Sequence, residues 1–189
     1  MRVIDLAEIL RGKCTYPTWS SGQTYPLEIV HDDQTLKLTY RAKGGRKPTA
    51  EYPRFVELSP NLLWVLGFLR GEGSQSKGKS AYRRFTVTNN DFKVLRFVLR
   101  TLKRGGFLNE LPDGCLKIGR NNLQRDQRLL KHWSKGLGIP YCKFYFPPRP
   151  DRIKRAEFGT CHVYISNVLL RLTIDAIAEH VFGLMQNPK

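Results

Sequence analysis

The sequence lacks the features that mark zinc-binding, secreted or membrane-spanning proteins. Its four cysteines are dispersed and form no C-x-x-C pair, which argues against a zinc site and favours reduced thiols. No run of about 18 apolar residues occurs, so no transmembrane helix is expected. The acids Asp5 and Glu8 stand where a signal peptide would carry an apolar run. We therefore expect a cytoplasmic protein, or an organellar or nucleoid-associated one, that is neither secreted nor held in a membrane.

Acidic residues are scarce relative to basic ones. The chain has 16 Asp and Glu against 32 Lys and Arg, which gives a formal net charge of +16 at pH 7. Such an excess costs self-repulsion unless a polyanion neutralises it, so nucleic acid is the expected partner. The alternative is a basic protein of ribosomal type, or one whose charge serves solubility. With 41% hydrophobic residues, a chain of 189 residues can bury the core of one domain with a small appendage.

The N-terminal part of the chain alternates short apolar runs with turns. Val3 to Leu10 has the spacing of one or two helical turns, and Thr15 to Thr24 is turn-rich. Pro26 to Val30 and Thr35 to Tyr40 are typical of two strands around a polar turn. The basic, glycine-rich stretch from Arg41 to Thr49 is either a flexible linker or an arm that contacts the DNA backbone or minor groove.

A helix of unusual composition follows and is the best-marked element of the chain. Ser59 precedes a proline, which is a helix-start signal, and leucines recur at helical spacing. Leu63, Gly67 and Gly71 are four residues apart and share a second stripe of that helix. Glycine inside a helix costs roughly 1 kcal/mol relative to alanine, so this stripe predicts a closely packed backbone. Glu72 then falls at the helix C-terminus, where the helix dipole disfavours a carboxylate and a bound cation would compensate.

The remaining chain alternates strand-like and helix-like segments. Phe85 and Val87 face the core in the predicted alternation, with Thr86 and Thr88 on the other side. Asp113-Gly114 between two apolar runs is a hairpin signal. The predicted elements are an antiparallel strand pair at 74–80 and 82–89, a helix at 91–104, a hairpin of strands 107–111 and 115–119, a loop and helix at 120–137, strands at 143–146 and 160–165, and a last helix at 168–182.

Two stretches of this sequence resemble one family. V-L-G-F-L-R-G-E-G, from Val65 to Gly73, resembles the LAGLIDADG motif of homing endonucleases. F-T-V-T-N-N-D, from Phe85 to Asp91, resembles the end of that family's second strand and the start of its next helix. The resemblance covers about 59–146 and implies an α+β fold, an α-β-β-α-β-β-α core with an antiparallel, saddle-shaped sheet. Residues 1–55 are then an N-terminal extension, residues 56–189 hold the DNA-binding and cleavage domain, and a further hairpin and helix follow the core.

The resemblance also implies how such a protein would cut DNA. In the family, two motif helices pack side by side and bring their terminal acids next to the scissile phosphates. This chain has one motif, so the resemblance implies a homodimer with Leu63, Gly67 and Gly71 at the helix–helix contact. Glu72 and the carbonyl of Gly71 would be the metal ligands, with Mg²⁺ or another divalent cation such as Mn²⁺ as cofactor.

Further roles carry over from the family to single positions. Asn89 corresponds to the polar amide that orients water, although a helix cap or turn explains it equally well. Lys143 corresponds to a lysine near the scissile phosphate, although it is also explained as an ordinary surface lysine. Arg70 departs from the motif, which usually has an acid there, and a cation beside Glu72 would compete with metal. The expected DNA-reading side chains on the strands are Gln75, Lys77, Lys79, Arg83, Arg84, Thr86, Lys117 and Arg120.

Three functions fit these patterns. The first is a site-specific endonuclease of the intron or intein homing type, which makes a metal-dependent double-strand cut at a long pseudo-palindromic site in double-stranded DNA. The second is a non-cleaving nucleic-acid-binding protein on the same scaffold, either a transcription regulator or an RNA splicing factor. The third is an unrelated basic RNA-binding protein whose motif match is chance.

Overall fold

The computed structural model describes residues 2–11, 15–17, 24–41, 45, 47–71, 85–119, 127–147 and 154–186. These residues form a mixed α+β structure with mainly antiparallel sheets, so the α+β prediction is confirmed. None of the helices within these ranges has the length and hydropathy needed to cross a bilayer. The helices are α1 (Leu6–Arg11), α2 (Pro60–Gly71), α3 (Phe92–Arg104), α4 (Gln127–Leu137) and α5 (Val168–Gln186).

Ten strands in the described residues form three sheets. β1 (Val3–Asp5) pairs with β6 (Phe55–Glu57). A four-stranded sheet contains, in order, β2 (Thr15–Pro17), β3 (Thr24–His31), β4 (Thr35–Tyr40) and β5 (Thr49–Pro53). The second four-stranded sheet, called the C-terminal sheet here, has the order β7 (Phe85–Asn89), β10 (Thr160–Ile165), β8 (Asp113–Lys117) and β9 (Phe144–Tyr145). Its β8–β9 pair is parallel, and its other pairs are antiparallel.

The N-terminal part confirms the strand pair and corrects two other expectations. β3 and β4 are joined by a turn in which Oδ1 of Asp32 accepts the N–H groups of Gln34 and Thr35 at 2.8 and 2.6 Å. The helix predicted over 3–10 begins only at residue 6, because residues 3–5 pair with β6 and Asp5 caps the helix by accepting the N–H of Ala7 at 2.8 Å. The stretch predicted as a turn-rich loop contains β2, which pairs with β3.

An ion pair connects these N-terminal elements. Oδ2 of Asp5 accepts from both Nε and Nη2 of Arg54, at 3.0 and 2.8 Å, and Nη1 of Arg54 donates to the carbonyl of Asp32 at 3.0 Å. The hydrogen bond from Arg54 is the largest cause of the lowered pKa of Asp5. One guanidinium therefore links β1, the segment between β5 and β6, and the turn after β3.

The helices predicted from caps and periodicity are confirmed where they are described. Asp91 caps α3 by accepting the N–H of Lys93 at 2.7 Å, and Asn167 caps α5 by accepting the N–H of Leu170 at 3.0 Å. Trp133 of α4 is fully buried. One core cluster contains buried residues from α1 to α5 and from all three sheets, so the N-terminal part shares its core with the remainder.

The hairpin predicted at 107–111 and 115–119 is wrong. Residues 107–111 form no strand; Phe107 and Leu108 are buried beside the end of α3, and the N–H of Phe107 donates to the carbonyl of Leu102 at 2.9 Å. Gly114 lies inside β8, where it pairs with Val163, instead of in a turn. Glycine is needed at this position because a Cβ would overlap the ring of Phe144. Between α3 and α4 the described residues therefore contain one strand, β8, and its antiparallel partner β10 comes after α4. The hairpin predicted after the core is also wrong, because β8 lies between β9 and β10.

Candidate nucleic-acid interface

One face of the C-terminal sheet carries polar side chains in register. Thr86 of β7 lies opposite Tyr164 of β10, and Tyr164 lies opposite Asp113 of β8. Residues directly opposite one another project to the same side of a sheet, so these three form one row. Phe85 and Val87 project to the other side and are buried, as predicted. The side that carries Thr86 is called the outer face below.

A second row on the outer face adds hydroxyl and imidazole groups. Thr88, His162 and Cys115 lie opposite one another, and Oγ1 of Thr88 is 2.8 Å from Nδ1 of His162. Tyr145 of β9 lies beside Cys115 and meets the ring of Tyr164 edge-on, with 6.0 Å between centroids. Burial, with contacts to Cys115 and Tyr164, raises the pKa of Tyr145 well above its usual range. Its phenol therefore stays a neutral hydrogen-bonding group.

Cationic side chains border the outer face. Nζ of Lys143 is 3.2 Å from Oδ1 of Asp113, and these side chains are 42% and 37% exposed. Lys117 of β8 lies opposite Thr160, whose Oγ1 accepts from Nη1 of Arg155 at 3.1 Å. Cations that meet phosphates, beside hydroxyl groups that can meet base edges, are the combination that duplex recognition uses. The predicted candidates Thr86, Lys117 and Lys143 therefore lie on or beside one face.

Asn89 is separated from that face. It lies opposite Cys161 and so has the core-side parity of Phe85 and Val87. Its Oδ1 accepts the N–H of Asp91 at 2.8 Å, directly before α3. This bond supports the turn explanation of Asn89, since Asp91 itself caps α3, and it leaves the amide nitrogen of Asn89 for other contacts.

The glycine stripe of α2 faces outward. Leu62, Val65 and Leu66 are buried on the inner side of the helix, whereas Gly67 and Gly71 are exposed on the opposite side. A Cβ at Gly67 would meet only the tip of a phenylalanine ring, at 3.9 Å, and a Cβ at Gly71 would meet nothing within 4 Å. Within the described residues, no backbone of this chain packs against the stripe. The close partner that the sequence predicts would therefore come from outside this set of residues.

Aromatic and cationic groups flank that stripe. Trp64 is 48% exposed, stacks on Phe68 at 5.2 Å, and meets Phe97 of α3 edge-on at 5.1 Å. The guanidinium of Arg70 lies over the ring of Phe182 in α5, 4.8 Å from its centroid. Leu63, the third residue predicted for the helix–helix contact, is partly buried against the core. The exposed face of α2 thus carries Gly67 and Gly71, with the indole of Trp64 beside them.

The predicted metal ligands are only partly within the described residues. Gly71 is the last residue of α2 and is exposed, so its carbonyl lies at the partially negative end of the helix dipole, where a cation is favoured. Among the residues given above as described, no group of three or more His, Cys, Asp or Glu is placed to hold a metal ion. The remaining predicted site residues lie outside the described ranges; they are Glu72, Gln75, Lys77, Lys79, Arg83, Arg84 and Arg120.

Sequence reasoning missed the contribution of β10 to the outer face. The alternation of Thr160 to Ile165 already predicts that His162 and Tyr164 share one side of a strand. The sequence does not indicate that this strand lies between β7 and β8, and that position is what brings His162 beside Thr88. Tyr145 was missed for the same reason, since its neighbours come from β8 and β10.

Comparisons with known proteins add no further assignment. No protein-family model matches the chain, and searches of curated proteins and of solved structures found no match.

Proposed function

We propose that this protein is a homodimeric, metal-dependent DNA endonuclease of the LAGLIDADG type. The observation that carries the proposal is that Gly67 and Gly71 of α2 are both exposed, and that Gly71 ends the helix directly before Glu72 in the sequence. A helix face without side chains lets a second backbone approach closely. Two copies of α2 packed through this face would bring two Glu72 carboxylates together.

The residues at this helix end suit a divalent cation. Glu72 from each copy and the carbonyl of Gly71 would hold Mg²⁺ or Mn²⁺, since hard cations prefer oxygen ligands. A metal bound there supplies activation of water and neutralises charge on the phosphate. The chain itself contributes the carboxylates, the helix C-terminus that favours positive charge, and Leu63 at the margin of the helix–helix contact.

The outer face is the proposed DNA surface. Thr86 and Lys117, together with the bordering cations, would meet one groove and the adjacent phosphates of a duplex. Lys143 is exposed enough to exchange Asp113 for a phosphate oxygen. A role of Asn89 in ordering water would fall to its amide nitrogen, because its oxygen accepts the N–H of Asp91 in the turn before α3. In this proposal further DNA contacts come from residues outside the described ranges, namely Gln75, Lys77, Lys79, Arg83, Arg84 and Arg120.

The test is cleavage of supercoiled DNA that carries the protein's own insertion locus, with and without Mg²⁺. We expect linear product with the natural protein and none with Glu72→Gln, while duplex affinity is retained because this change removes charge and keeps shape. A matched control is Glu51→Gln, which removes an exposed carboxylate from β5 and should cut normally. Equal loss of binding and cleavage in Glu72→Gln would contradict the metal-ligand role.

Arg70 favours a second candidate, a non-cleaving regulator or RNA splicing factor on the same scaffold. The motif usually has an acid at this position, and here a guanidinium lies over Phe182, one residue from the end of α2. A fixed cation at this end would lower the affinity for a metal ion by like-charge repulsion. Tight DNA or RNA binding without metal-dependent nicking would select this candidate.

A further inference from the structure

A basic groove runs between α3 and α4. It encloses about 810 Å³ and is lined by aromatic residues and by cations at i, i+3 and i+4 spacing on both helices. α3 and α4 contain no acidic residue along their whole lengths. The cations that line the groove are Lys93, Arg96, Arg100, Arg128, Lys131 and Lys135.

This groove is separate from the outer face of the C-terminal sheet. The buried residues Leu95 and Val98 of α3 belong to the same core cluster as Val87, which projects from the core side of β7. α3 therefore packs on the core side of that sheet and α4 packs against α3, while the lysines and Arg100 of the groove are exposed. A ligand in the groove would not occupy the surface that carries Thr86.

Contacts of Arg96 and Gly136 hold α3 and α4 together along the groove. Arg96 donates from Nε to the carbonyl of Gly136 and from Nη2 to the carbonyl of Lys135, the latter at 3.2 Å. Its guanidinium also lies over the ring of Phe92, 5.3 Å from the centroid. A Cβ at Gly136 would meet that ring at 2.6 Å, so the helices approach closely only because the residue is glycine. Arg96 is thus a positioning residue that ties the end of α4 to α3.

Four of the other cations are available to a ligand. Lys93, Arg100, Lys131 and Lys135 are exposed, and no carboxylate among the described residues lies within ion-pair distance of them. Like charges three or four residues apart on a helix repel, and Lys93 also lies in the first turn of α3, where the dipole disfavours a cation. This arrangement raises the free energy of the unliganded protein, and a bound polyanion would relieve it.

The groove also presents aromatic surface. His132 stacks on Phe158 with 4.0 Å between centroids and meets Phe92 edge-on at 5.1 Å. Burial lowers the pKa of His132, against the opposing effect of Asp91 and Glu157, so it acts as a neutral ring at pH 7. Phe97 also lines the groove, and its ring contacts the exposed indole of Trp64 edge-on.

We propose that the groove between α3 and α4 binds a single-stranded nucleic-acid segment. Aromatic rings beside rows of cations are the combination that binds unpaired bases together with their phosphates. The two rows of cations stand on neighbouring packed helices, so a single strand laid along the groove would contact both rows. This site goes beyond the proposed function, since it requires neither cleavage nor Glu72.

The experiment compares two variants that each lose three positive charges. The groove variant carries Arg100→Gln, Lys131→Gln and Lys135→Gln. The control variant carries Arg2→Gln, Lys37→Gln and Lys154→Gln, at exposed positions outside the groove. Fluorescence anisotropy measures binding of labelled oligo-dT, oligo-U and a DNA duplex of equal length, across a range of salt concentrations.

The groove variant should bind the single strands about 10- to 100-fold more weakly at ~0.1 M salt. The slope of log affinity against log salt concentration should be smaller in magnitude by about 2. The control should lose less than about threefold, and duplex affinity should fall equally in both variants. A preference for oligo-dT or oligo-U identifies DNA or RNA as the strand that is bound. Equal single-strand losses in the two variants would overturn the proposal, whether or not the protein cuts DNA. An abasic strand that binds as tightly as oligo-dT would overturn the stacking component.

Discussion

Replacing Gly67 with alanine separates the two explanations for a glycine in the middle of α2. If the residue only served packing within one chain, a methyl group there would cost stability. The structure predicts the opposite for the isolated chain, because the new Cβ would meet one ring atom of Phe182 at 3.9 Å, which is ordinary van der Waals contact. The helix then gains about 0.5–1 kcal/mol from the better helix former. For a chain of this size, the melting temperature should rise by roughly 1–4 °C.

The same methyl group should weaken a dimer formed through this face. Overpacking a close contact costs about 1–3 kcal/mol, and a two-fold interface contains the substitution twice. The expected penalty is about 2–6 kcal/mol, so the dimer dissociation constant should rise at least about 30-fold. A monomer that is more stable and a dimer that is weaker, from one substitution, is the combination expected of an interface glycine.

Thermal unfolding at a protein concentration where the monomer predominates, together with sedimentation equilibrium, measures both effects. Low concentration is needed because dimerisation itself raises the apparent melting temperature. Gly183→Ala is the matched control, since this glycine also lies exposed within a helix and its Cβ would meet nothing within 4 Å. The control should gain stability and leave self-association unchanged. A destabilised Gly67→Ala monomer, or unchanged self-association, would refute the reasoning.

Two further predictions concern stability. Asp5→Asn should destabilise the protein at pH 7, because the pKa of Asp5 is lowered in the folded state. The difference in stability from the natural protein should be full above about pH 4 and disappear as the pH falls through the lowered pKa. Thermal melts across this range test it, and a difference in stability that grows in acid would contradict the role of Arg54. Trp133→Phe should cost about 2–3 kcal/mol in urea unfolding, because it leaves a cavity and deprives the carbonyl of Phe158 of an N–H donor at 2.7 Å. Trp64→Phe, at a half-exposed indole, should cost less than about 1 kcal/mol, and equal costs would show that Trp133 is not the better-packed indole.

Local signals predicted the elements whose causes are themselves local. α3 was expected over 91–104 and spans Phe92–Arg104, because Asp91 caps its first turn and Gly105 follows its end. The turn between β3 and β4 was predicted by its polar residues, and Asp32 forms it through bonds to its own neighbours. Caps and tight turns involve residues within a few positions of one another, so sequence alone contains the information.

Elements fixed by distant residues were predicted less well. Asp113-Gly114 is a hairpin signal in isolation, but glycine is needed at 114 because the ring of Phe144 in β9 packs over it. β8 pairs with β10 and β9, and the residues just before it form no strand. The residues of the outer face divide in the same way, into those predicted from local sequence and those fixed by strand order. The parity of Thr86 followed from the alternation of β7, whereas the neighbours His162 and Tyr145 depend on the strand order.

The charge on α3 and α4 shows why one nucleic-acid surface does not account for the whole chain. Like-charged residues at i and i+4, such as Arg96 and Arg100 or Lys131 and Lys135, each cost a few tenths of a kcal/mol in a helix. Exposed helix positions accept acids and amides without harm to packing, so the fold does not require the exposed cations there; Arg96, which bonds to the end of α4, is the exception. A duplex on the outer face would lie across the sheet from these side chains, where salt screens charges separated by more than about 10 Å. The single-stranded ligand that we propose for the groove would account for the cations on α3 and α4.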